Sequence, residues 1–148
     1  MAMKKLFVLF VLMTLALSGC EGGATASGMR TQCSHSNLSG NCTVTIGTLT
    51  GGAYSHRVEN SNLRRAGGPV QVTVNITVET GTVNVWVEEG NNRSAVTVAP
   101  GQTAEMTGTA AVSGTGDERY FHIYFEPQGE GDAKRAENIQ AEITYEAP

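Results

Sequence analysis

Three histidines, His35, His56 and His122, fall on separate segments, and only His122 has chemically useful neighbours at short spacing. In Arg119-Tyr120-Phe121-His122-Ile123-Tyr124-Phe125, a strand would put Tyr120, His122 and Tyr124 on one face and Phe121, Ile123 and Phe125 on the other. With Trp86 beside them, these side chains would make a polar-aromatic ligand platform, rings for stacking and hydroxyl, imidazole and indole groups for hydrogen bonds. On its own strand Trp86 points away from Val83, Val85 and Val87, toward either a second packed layer or solvent. Core is the more ordinary place for it. Paired acids occur at Glu88-Glu89 and Asp117-Glu118, with Glu130 and Asp132 further on. Together they offer the hard oxygen ligands that calcium takes, although solvated turn acids are the commoner explanation. No Gly-x-Ser-x-Gly elbow, zincin helix or phosphate-binding loop is present, so the sequence assigns no catalytic residue, metal site or cofactor.

The cysteines divide into one and two. Cys33 and Cys42 flank a polar, turn-rich stretch, Ser34 to Asn41, and read as a disulfide closing a short loop. A metal site made of Cys33, His35 and Cys42 would lack a clear fourth ligand and the Cys-x-x-Cys spacing of common zinc sites. Cys20 stands apart.

The elements that must position these residues have a period of two. Thr43 to Leu49 alternates polar with apolar, and Val70, Val72, Val74, Ile76 and Val78 make the clearest half-buried strand. Val83, Val85 and Val87 repeat the pattern after Thr80-Gly81, and the short linker reads as a hairpin. Ala95–Val98, Thr103–Val112, the aromatic strand and Ile139–Tyr145 follow, separated by Gly, Asn and Pro turns. Alternation on one side only favours antiparallel pairing. The expectation is an all-β antiparallel sandwich, jelly-roll or Ig-like, of about seven or eight strands. In its Pro100-Gly101 turn and Tyr/Phe-rich penultimate strand, the run from Val83 to Tyr145 is similar in pattern to the small β-sandwich modules of bacterial secreted enzymes. That likeness implies no functional residue.

Ahead of the strands, Lys4-Lys5 precedes an apolar run, Leu6 to Leu17, too short to span a bilayer and fitting a signal-peptide core. Leu17-Ser18-Gly19-Cys20 then resembles the lipobox of bacterial lipoproteins. The resemblance implies cleavage before Cys20, diacylglycerol on its sulfur and a place in the cell envelope. That place would be the outer membrane in a Gram-negative cell, otherwise the outer face of the cytoplasmic membrane. Residues 1–19 would be the leader, 20–29 the lipidated cysteine and a flexible Gly/Ala/Ser tether, and 30–148 the sandwich. Several acyl chains would make the anchoring firm.

Without Lys4 and Lys5, eight basic residues stand against fourteen acidic ones, a formal charge of −6 for residues 20–148. Such a surface repels nucleic acid and anionic headgroups. The expectation is a non-catalytic binding module that engages another envelope protein. A carbohydrate or cell-wall module working through exposed aromatics is the alternative. An enzyme would need a cleft that gathers His56 or His122 with acidic partners.

Overall fold

The computed structural model describes residues 23–148, so the leader and Cys20 lie outside the described residues. Eleven strands follow in order: β1 (Thr25–Ser27), β2 (Arg30–Ser36), β3 (Ser39–Thr50), β4 (Tyr54–Glu59), β5 (Val70–Thr80), β6 (Val83–Glu89), β7 (Asn92–Val98), β8 (Thr103–Ala110), β9 (Ser113–Thr115), β10 (Glu118–Pro127) and β11 (Arg135–Glu146). Short 3-10 turns occupy Ser61–Arg65 and Gly131–Ala133. All pairings are antiparallel, and they form two facing sheets. One runs β1-β3-β11-β5-β8 with β2 also on β3; the other runs β4-β10-β6-β7 with β9 also on β10. The chain is an all-β antiparallel sandwich.

Alternation does the folding. Val70, Val72, Val74, Ile76 and Val78 of β5 are fully buried, as are Phe121, Ile123 and Phe125 of β10 opposite. Ile139, Ala141, Ile143 and Tyr145 of β11 complete the central layer. Each large apolar side chain so buried contributes roughly 1.5–3 kcal/mol, and the alternate positions meet water.

Three expectations change. The linker after β5 does not make a hairpin: β5 pairs with β11 and β8, whereas β6 pairs with β7 and β10. Gly81, at φ +79°, carries the chain from one sheet to the other, and a Cβ there would collide with the Arg135 carbonyl. Period-two patterning says which face is buried, not which sheet a strand joins. The tether expected over 20–29 is paired from Thr25 onward, with Thr25, Ala26 and Ser27 opposite Thr50, Leu49 and Thr48. Small Ala and Ser side chains suit this narrow edge position as well as they suit a linker. Finally, the Ser34–Asn41 stretch is a hairpin, β2 turning into β3 at Asn37-Leu38, where Asn37 takes φ +52°. Asparagine tolerates that left-handed conformation better than most residues.

The edges of the sandwich differ. At one, β7 closes against β8 so tightly that a Cβ on Gly108 would strike Ser94 and lie 2.8 Å from a Val87 methyl. At the other, β2 is exposed along its whole length.

Candidate functional site

The outer face of the β4-β10-β6-β7 sheet brings the predicted aromatics together. Tyr120, His122 and Tyr124 descend β10, and β6 places Trp86 directly opposite Tyr124. The two rings are 5.2 Å apart and nearly parallel, with an interplanar angle of 11°. Tyr120 and His122 meet edge to face at 5.2 Å, and His122 lies 5.9 Å from Tyr124. Cations close the row at both ends: the Arg57 guanidinium sits 3.8 Å from the Tyr120 ring centre, and that of Arg93 sits 4.7 Å from the Trp86 ring.

Trp86 is 4% exposed yet stands outside the cluster between the sheets. Expectation of core was right about burial and wrong about place. Because β10 and β7 flank β6 on opposite sides, Tyr124 covers one face of the indole and Arg93 the other. Its Nε1 is buried without a hydrogen-bond partner in the protein. An orphan donor of this kind costs about 1–3 kcal/mol.

Polar residues knit the row from the side. Ser55 of β4 faces Tyr124, and its Oγ lies 2.6 Å from His122 Nδ1. Burial lowers the His122 pKa, and the charge of Arg57 lowers it further, both favouring the neutral ring. Burial raises the Tyr124 pKa, and the charge and hydrogen bond of Glu88 add to the rise, with Ser55 and Arg93 opposing. Glu88 also pairs with Arg93 at 3.2 Å, on the exposed surface.

A serine beside a neutral histidine is the first half of an activated nucleophile. The second half calls for donors aimed at a developing oxyanion and a group orienting the histidine. Ser55 and Tyr124 are directly opposite residues on β4 and β10. A cleft of about 400 Å³ lined by Leu63, Arg64, Gly67, Glu89 and Arg119 lies at one end of the sandwich, and neither Ser55 nor His122 lines it.

The remaining candidates are dispersed. Cys33 and Cys42, directly opposite on β2 and β3, form a disulfide with Cα atoms 4.1 Å apart, which removes them as metal ligands. His35 turns instead to Tyr145, its Nδ1 2.5 Å from the buried hydroxyl. That hydroxyl also accepts from Asn60 Nδ2 at 2.9 Å, and the same amide donates to the Asn37 carbonyl at 3.0 Å. This network ties the β2–β3 hairpin to the Ser61–Arg65 turn, which Asn60 caps. His56 faces inward, 6% exposed, its Nε2 unpartnered; burial lowers its pKa, and His122 lowers it further. Asp117 pairs with Arg64 and Glu88 with Arg93. Among the described residues no three His, Cys, Asp or Glu gather closely enough to hold a metal ion.

Sequence reasoning missed Ser55, Arg57 and Arg93. The first two sit on β4, whose inward positions include a histidine, so its alternation is weak. Comparison with protein-family models and with curated proteins finds no match, leaving the fold and this face to carry the functional reading.

Proposed function

We propose that this chain is a lipid-anchored, non-catalytic binding module of the bacterial envelope that docks a protein partner through the outer face of its five-stranded sheet. The observation that carries the protein reading is the attitude of the rings. Trp86, the best surface for stacking a sugar, has both faces covered, and one face of Tyr120 lies under Arg57. Tyr120, His122 and Tyr124 remain partly exposed, with the exposed Arg57 and Arg93 beside them. Tyr, Trp and Arg clustered in this way make the composition of interface hot spots. Stacking a glycan on Trp86 would require dismantling the clamp first. The acidic formal charge and the resemblance of residues 1–20 to a lipoprotein leader support the envelope setting.

The test is in-cell crosslinking of the full-length protein, followed by affinity purification and mass spectrometry, with Cys20→Ala, Tyr124→Ala and Thr73→Ala compared. One dominant protein partner that is lost with Cys20→Ala and Tyr124→Ala, and kept with Thr73→Ala on the opposite sheet, is expected. Recovery of wall or surface glycan in its place would overturn the protein reading and restore the sugar-binding one.

A further inference from the structure

We infer that the sandwich sits end-on at its membrane, with the rim that carries Gly51, Gly81 and residues 128–134 held against the lipid headgroups. The inference deepens the anchoring proposed above and rests on acylation of Cys20. Its support is the place of Gly23 to Ser27 in the fold. Thr25 is registered with Thr50, and Thr50 is also registered with Arg135, so β1 starts at one end of the six-stranded sheet. The chain is engaged even before β1: a Cβ on Gly51 would collide with the Gly23 carbonyl oxygen, and Gly51, at φ +86°, is where the backbone lets Gly23 approach. Three residue steps separate Gly23 from Cys20, a reach of about 10 Å at full extension. The lipid on Cys20 therefore cannot lie far from this rim.

The opposite end is remote. β11 runs from Arg135 at the rim to Glu146 beside the β2–β3 hairpin, twelve residues or about 40 Å of strand. The Asn37-Leu38 turn, Asn60 and the cleft of Arg64 and Arg119 all lie at that far end. The rim itself has no charge reason to bind lipid. Lys134 is paired with Glu126 at 2.9 Å and Arg135 with Glu137 at 2.6 Å, and Glu130 is exposed beside them. The short link, rather than headgroup attraction, sets the orientation.

The experiment uses the acylated full-length protein in phosphatidylcholine vesicles that contain a nitroxide-headgroup lipid, a short-range quencher. A fluorophore is placed at Gln128→Cys on the rim, or at Ser61→Cys at the far end, and acylation of each sample is verified by mass spectrometry. The Gln128→Cys label should be quenched at least about threefold more than the Ser61→Cys label. A twelve-residue Gly/Ser insertion between Gly22 and Gly23 should abolish that difference without altering either label's site. Equal quenching in the acylated, uninserted protein would overturn the orientation and leave the anchoring standing. A chain recovered without acyl groups would overturn the anchoring and the orientation with it.

Discussion

The Cys33–Cys42 bridge joins residues nine apart, and closing a loop of that length removes unfolded-chain entropy equivalent to roughly 2.6 kcal/mol at 25 °C. That figure is the loss on reduction only if β2 stays paired. All seven residues of β2 are exposed, so the strand gains no stabilisation from buried apolar surface. Ordering seven residues costs about 7–14 kcal/mol. Against this stand ladder hydrogen bonds worth about 0.5–1.5 kcal/mol each and the contact of His35 with Tyr145. Without the covalent link the balance favours release. Reduction with a phosphine should therefore free Arg30–Ser36 while β11, β5 and β10 stay folded, and the global loss should fall below about 2.6 kcal/mol because the released strand gains entropy in the native state. Hydrogen exchange by mass spectrometry, with denaturant midpoints before and after reduction, reads both quantities. Protection of Arg30–Ser36 unchanged by reduction would refute the balance drawn here, and so would cooperative unfolding of the whole sandwich.

At the closed edge, Gly108→Ala should destabilise by about 1–3 kcal/mol, since the new Cβ strikes Ser94 and crowds Val87, and denaturant midpoints should show Ser94→Gly recovering part of that loss. Acidification should also destabilise, through His56. Its folded pKa lies below the ordinary value near 6.5, so the unfolded chain binds the proton more tightly; stability is full above that value and falls as the pH drops toward the folded one. His122 acts in the same direction, with Ser55 and Arg57 facing it. Midpoints compared between pH 7.5 and 5.5 should show the fall, and His56→Phe should flatten it. Stability that rose over that interval would contradict the buried, neutral assignment.

The sandwich was legible because its central strands carry their instructions in alternation, as Val70 to Val78 and Phe121 to Phe125 show. What could not be read were strands without an apolar face of their own. In β2 every residue is exposed, so no period distinguishes strand from loop, and the disulfide and the ladder to β3 define it. In β4 an inward His56 interrupts the pattern beside Val58. In β1 three small residues pair because β3 offers an edge. The hairpin misread between β5 and β6 has the same root: both strands turn valines inward whether they lie side by side or face each other across the core, and only the path at Gly81 separates the two.

For the site, the alternation of β10 sufficed to place Tyr120, His122 and Tyr124 on one outward face. It could not say how the rings would stand. Cross-strand register puts Trp86 against Tyr124, and β7 brings Arg93 over the other side of the indole. This arrangement explains how a tryptophan can be buried outside the core: the partners that cover it are a tyrosine and an arginine on the same surface, not the second sheet. It also gives the row its character. Trp86 and Tyr124 stack face to face while Tyr120 and His122 meet edge to face, and this mixture of stacked and upright rings with two guanidinium groups is what the proposed protein-docking reading rests on. The proposal of a protein rather than a sugar rests on ring attitude, which depends on the register of β10 with β6 and of β6 with β7. Residue type and spacing alone left both classes open.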